Sequence, residues 1–333
     1  MVHMHSNTAT DWDGSSDFWN HVNQSTVNNM VDQGIMILTG KSTLSDAWHA
    51  ILPNYSAGQP VAIKVNFNNT ISWGCGSTSS VINALIQPVN AVVRGLKGIG
   101  VAEGDVWVYD ASNRVIPDYF VNGGIYAVKY FGGCRRDVNW AGGSPVNFFP
   151  PAGVAMPGPN KIPGLLVDTA YLINMPIMKN HSVAGVTLSF KHHLGSINNP
   201  GGLHSQIFVN NEGTNYSDTY NPLIDLYKNL NIGPKTVLTI GDGIFGCKGQ
   251  EDLAPSVWST FGGKAPNSLL FATDPVAIDS VMYDLLNAEP YAQPPALSDN
   301  YLRLAQNAGL GVFEHGDPWG TGYQRIDYRK REI

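Results

Sequence analysis

The stretch VAIKVNF (residues 61–67) decides the fold. A short apolar run bounded by turn residues reads as a strand covered on both faces. Four more runs are of the same kind: VWVYDAS (106–112), AYLINMP (170–176), TVLTIGD (236–242) and SLLFATD (268–274). Helical patterns over 43–52, 79–98, 114–121, 184–194, 216–230, 274–287 and 297–308 lie between or after them, the first two opening on Thr43 and Ser79 as caps. This alternation predicts an α/β fold with a mostly parallel sheet or sheets and helices on both faces. The Gly/Pro-rich segment 140–164 reads as an irregular crossing. The chain is then one domain over 1–333, in which 1–140 and 165–333 can stand as two α/β lobes. The Gly/Asn-rich loop 195–215 has the length of a lid or binding loop.

Composition narrows the function. The 333 residues carry a net charge of −6 and no basic run, which argues against a nucleic-acid partner. No apolar stretch reaches the roughly 18 residues of a membrane span. Charged residues are 14%, against roughly 25% in an average soluble domain. That surface suits an exported protein, so an extracytoplasmic location is expected, with any signal outside this sequence. Cys75, Cys134 and Cys247 are far apart and form no C-x-x-C, which disfavours an iron–sulfur cluster. One disulfide plus a free thiol, or three small buried residues, remain as alternatives. No dinucleotide fingerprint, P-loop or G-x-S-x-G occurs; GDGIFGCKG (241–249) has glycines at another spacing.

The chemistry concentrates in YLINMPIMKNHSVAGVTLSFKHHLG (171–195), which holds Lys179, His181, Lys191, His192 and His193. Desolvated lysines beside other cations become bases or nucleophiles near neutral pH, and histidine shuttles protons. Lys179, His181 and Lys191 are therefore the catalytic candidates. Asn66, Asp110, Asn174, Asp242 and Asp274 each end a predicted strand, where α/β sheets bind small-molecule ligands. The same residue types also cap helices and close turns. His3 and His5 form an H-x-H on a first strand and, with His204 and His315, are candidate ligands for a divalent metal. Low charge and many aromatic residues also leave subunit contacts open.

The segment LINMPIMKNHSVAGVTLSFKHHLGSI resembles the signature of the domain-of-unknown-function 362 family. VAIKVNF, VYDAS and SLLFATDPVAIDSVMYDLL resemble its early strand, its Asp-ending strand and its closing D-P-V-A-x-D segment, and VHMHSNTATDWDG is similar to the opening of exported bacterial members. The resemblance covers nearly the whole chain and implies the fold more than the chemistry. Many relatives carry a ferredoxin-like cysteine cluster, which this chain lacks. A looser resemblance links the spacing of His181 and Lys191 to the nickel-pincer lactate racemases. It implies His181 as acid/base, Lys191 as cofactor anchor and His204 as a nickel ligand.

Overall fold

The structure, a computed structural model, describes all residues except 16, 71–72, 79, 113, 210–213, 248, 250–252 and 291. The cap expected at Ser79, position 248 of the glycine-rich stretch and positions 210–213 of the long loop lie outside the described residues.

Eight strands form the central sheet. They are Val2–His5 (β1), Val61–Lys64 (β2), Val106–Tyr109 (β3), Lys129–Phe131 (β4), Tyr171–Asn174 (β5), Thr236–Gly243 (β6), Ser268–Ala272 (β7) and Arg329–Glu332 (β8). Their order is β8-β1-β7-β6-β5-β2-β3-β4. Every pairing is parallel except the two made by β7, which runs against both β1 and β6. The carboxyl ends of the other strands therefore share one edge of the sheet. Residues 1–140 and 165–333 do not form separate sheets, because β1 completes the hydrogen-bond ladder between β7 and β8. Within 140–164, Ser144–Pro145 pairs with Lys161–Ile162 in a small hairpin.

Both faces are covered, as continuous apolar strands require. Gln24–Thr39 (α1), Leu44–Ile51 (α2) and Ile86–Gly98 (α3) pack with Ile63, Val108, Ile173 and Phe271 on one face. Ser189–His192 (α4), Pro275–Ala288 (α5) and Asn300–Asn307 (α6) pack with Ala62, Leu172 and Leu270 on the other. The helix α1 was not expected from the sequence. It is capped by Asn23, whose side chain accepts from the Ser25 and Thr26 N–H groups at 3.0 and 3.2 Å. Val27, Met30, Val31, Gly34 and Ile35 give it a buried stripe at helical spacing. A Cβ on Gly34 would come within 2.5 Å of the Phe271 ring, so glycine lets α1 lie close on β7.

Other expected helices shrink for local reasons. The 79–98 helix begins at Ile86, since the Ile82 and Ala84 N–H groups bond instead to Leu253 and Asn66 carbonyls. Of 184–194, Gly185–Thr187 folds back on Lys179–His181 as a hairpin. The 216–230 pattern yields Pro222–Tyr227, because proline favours the first helical position and disfavours helix before it. No described helix is long and apolar enough to cross a membrane.

Candidate functional site

The site grows from the ends of β2 and β3. Their parallel register sets Lys64 opposite Tyr109, with Asp110 one residue further. Lys64 Nζ lies 3.2 Å from Asp110 Oδ1, with side-chain exposures of 1% and 3%. The other Asp110 oxygen accepts from the Phe67 N–H at 2.7 Å, and Lys64 also donates to the Val65 carbonyl at 2.6 Å. Such a pair survives burial because both charges are neutralised and hydrogen-bonded. Gly195 closes over it: a Cβ there would sit 2.4 Å from both Lys64 Nζ and Asp110 Oδ1.

The short helix α4 brings the second group of residues. Asn174, at the end of β5, donates to the Ser189 carbonyl at 3.2 Å. The buried Asp279 carboxylate, from α5, accepts from the Ser189 and Phe190 N–H groups at 2.8 and 3.3 Å and from the Tyr301 hydroxyl at 2.9 Å. Burial raises its pKa to about 7. Helix α4 thus borrows its cap from another helix. Within it, His192 contacts the Lys64 carbonyl through Nε2 at 3.2 Å and the Asn66 amide through Nδ1 at 3.4 Å. An Nε2–H tautomer satisfies both contacts, and burial holds the ring neutral. His192 is therefore a wedge between helix and strand ends.

Lys191 differs from all of these. It is buried and has no hydrogen bond or ion pair among the described residues. Burial, then the Lys179 and Arg114 charges, lower its pKa to about 7. Lys191 and His204 line a small cavity of about 30 Å³ together with Lys64, Asn66, Asp110 and Arg114. Thr187 is also on its wall, and its hydroxyl is buried without a partner. Lys179 and His181 stand behind that wall. Burial lowers Lys179 to about 8. His181 Nδ1 accepts from the Val183 and Ala184 N–H groups at 3.2 and 3.1 Å, which leaves the proton on Nε2. Burial, then Lys191, Lys179 and His204, lower its pKa to about 2. The His181 and His204 rings lie 6.3 Å apart, 27° from parallel. His204 is lowered to about 4, by burial and then by Lys191.

Several candidates fall elsewhere. Asp274 lies at the opposite edge of the sheet, because β7 runs backward. It caps α5, accepting from the Val276 and Ala277 N–H groups, both at 2.8 Å. Asp242 shares the pleat of Leu238 and Ile240, whose side chains join the α1–α3 face, whereas Asn174 meets α4 on the other. Its carboxyl accepts from the Ile244 N–H at 3.1 Å, and burial raises it to about 7. Three strands separate His3 and His5 on β1 from β2. His3 is held between Tyr328 and Ser268 at 2.7 and 2.8 Å, and His5 bonds to Glu332. His3 spends both ring nitrogens there and His5 spends Nδ1. His315 bridges Asp284 and Asp299 at 2.7 and 3.1 Å, which raises its pKa to about 10. Among the described residues, no three His, Cys, Asp or Glu side chains gather as metal ligands. Cys75 and Cys134 form a disulfide, and Cys247 is free and buried.

Sequence reading passed over Lys64, Arg114 and Asp279. A lysine inside VAIKVNF is itself a signal, since an unpaired charge does not survive in a buried strand. Asp279 is the second acid of D-P-V-A-x-D, and its long-range cap has no local signature.

The lactate racemase apoprotein of Thermoanaerobacterium thermosaccharolyticum is similar in fold, with 12% identity and a TM-score of 0.41 over 74% of this chain and 52% of that one. A structural-genomics protein from Thermotoga maritima gives 12%, 0.40, 70% and 53%. This chain thus spans about half the length of each. No curated protein matches it. Residues 61–284, which contain β2 through most of α5 and the whole cavity wall, match the model of the domain of unknown function DUF362, and the chain belongs to that family.

Proposed function

We propose that this protein is an enzyme that binds a small, oxygen-rich anion at the strand ends and moves a proton on it, with Lys191 as the base. The observation that carries this reading is Lys191 itself: a buried amine on a cavity wall, without a partner among the described residues. A group with a pKa near the working pH is the most effective proton carrier. The surroundings supply the anion's partners. Lys64 is neutralised by Asp110, which leaves Arg114, Lys179 and Lys191 without carboxylate partners among the described residues, in a chain of net charge −6. Arg114 and the free Thr187 hydroxyl would hold ligand oxygens, while His204 offers a neutral ring. With burial, Lys179 and Arg114 keep the proton on Lys191 labile, and His181 stays neutral behind them. Isomerisation, elimination and some hydrolyses begin with such a transfer.

We further propose an extracytoplasmic location, supported by the Cys75–Cys134 disulfide and the low charge.

The test is solvent deuterium exchange into a panel of small hydroxy- and keto-carboxylates, followed by NMR, with the intact mass of the protein measured alongside. Wild type is expected to exchange a carbon-bound proton in at least one compound, and Lys191→Ala to lose on the order of 10²–10⁴ in rate. Anion binding with no exchange across the panel would make this a binding protein and sink the catalytic reading.

A further inference from the structure

Away from Lys191, a hollow of about 690 Å³ opens beside the small hairpin of residues 144–162, a volume in the range of small-ligand clefts. On one wall, side chains alternate: Val146 and Phe148 are buried, while Pro145, Asn147 and Phe149 face outward. The other wall is Asp225, on the helix Pro222–Tyr227, and residues 228–231 after it. Hydrogen bonds pin the two walls together. Asp225 Oδ2 accepts from the Phe149 N–H at 2.7 Å and from the Tyr220 hydroxyl at 2.8 Å. The Asn231 amide donates to Ser144 Oγ at 3.0 Å, and the Asn229 amide to the Pro145 carbonyl at 3.4 Å. What remains for a ligand is a mixed surface. The Asn147 side chain, Asp225 Oδ1 and Asn231 Oδ1 have no hydrogen bond among the described residues. Phe149 and Leu230 expose 74% and 77% of their surface.

We infer that this hollow binds a neutral sugar, a pyranose or a disaccharide, with an apolar ring face on Phe149 and hydroxyls bonded to Asp225, Asn147 and Asn231. Each part of the surface matches that chemistry. A pyranose carries C–H groups on one face, and an exposed aromatic ring beside Leu230 offers them a flat apolar platform. Its hydroxyls both donate and accept, as carboxamides do, and a carboxylate oxygen held in place through its twin is a fixed acceptor. Asp225 and Lys228 balance in charge, so nothing here calls for an anion, in contrast to the cavity at Lys191. A purely apolar partner would strip water from Asp225 and the amides and give them nothing in return. The inference stands apart from the proposed proton-transfer site and adds a second binding function.

The test is saturation-transfer NMR on the whole protein with methyl glucosides, galactosides and mannosides and with cellobiose, followed by titration of the sugar that gives the strongest transfer. Transfer is expected to be largest at the C–H groups of one ring face. Phe149→Ala removes an exposed ring, leaves the core intact and should weaken binding about tenfold. It should leave proton exchange at the Lys191 site unchanged, so the two readings fail separately. Asp225→Asn keeps an acceptor for Tyr220 and should also weaken binding about tenfold. Phe149→Ala decides the matter even if Asp225→Asn does not fold. No transfer to any sugar of the panel, or an affinity indifferent to Phe149→Ala, overturns the inference. So does a concentration-dependent mass that Leu230→Asp abolishes, with no sugar bound, since this face would then be a contact between copies.

Discussion

Two buried lysines stand on the same cavity wall, both with a pKa lowered by burial, and differ in what stands beside them. Lys64 lies against Asp110 at 3.2 Å. Lys191, buried but slightly more open, has no carboxylate partner among the described residues and drops to about 7. The first pair neutralises itself and fixes the ends of β2 and β3. The second site is left with uncompensated positive charge, which a ligand anion or the loss of the Lys191 proton relieves. Burial alone does not mark a functional lysine; burial without a counter-ion does.

The comparison breaks most sharply in rate. Replacing Lys191 by alanine should cost on the order of 10²–10⁴ in proton exchange, with the melting temperature unchanged or raised. A large loss of stability instead would make Lys191 structural. Asp110→Ala should do the opposite. It strands Lys64 and should destabilise the fold by about 3–5 kcal/mol in urea titration. The double variant Lys64→Met/Asp110→Leu should recover most of that loss, and failure to recover would mean that the pair does more than neutralise itself.

Gly195→Ala sharpens the same contrast by sterics alone. Its methyl must push into the pair, so a loss of about 1–3 kcal/mol is expected. Asp279→Asn should cost about 1 kcal/mol, as the cap of α4 weakens. It should also shift the apparent pKa of Lys191, read by pH-dependent amine labelling and peptide mass spectrometry; a loss of stability with an unmoved Lys191 would show that Asp279 does not position it. The contrast also shows in pH. Lys191 and Lys179 titrate near 7 and 8 when folded, well below an ordinary lysine. Between pH 7 and about 10 the unfolded chain therefore binds more protons, and stability should rise with pH by at most about 1.4 kcal/mol per unit for each group. The stability is lost again as pH falls through the folded values. Lys191→Met should flatten that slope, and an unchanged slope would contradict the lowered value.

The strands were legible because a strand buried on both faces leaves a continuous apolar run. The longest helix, α1, was not read, although Asn23 and the stripe from Val27 to Ile35 announce it; its polar opening QSTVNN obscured the period. The site was legible as a cluster: the 179–204 segment does bring Lys191 and His204 to one wall, facing Asn66 and Asp110. Asp274 and Asp242 were misplaced for non-local reasons. One depends on which way β7 runs, the other on which pleat of β6 faces which layer, and neither is encoded within a strand. Asp274 and Asp279 make the point together. Five residues apart in one motif, the first caps its own helix and the second caps the helix that carries Lys191.

The outermost strand, β8, reads Arg-Lys-Arg-Glu, and it covers the apolar-rich Val2–His5. Four charges in a row make a poor template for a neighbouring chain, whereas Val-His-Met-His with open backbone groups would make a good one. Deleting 329–333 would strip Glu332 from His5 and uncover that row. The charges that guard this edge of the sheet thus stand far from the cavity, beyond β1.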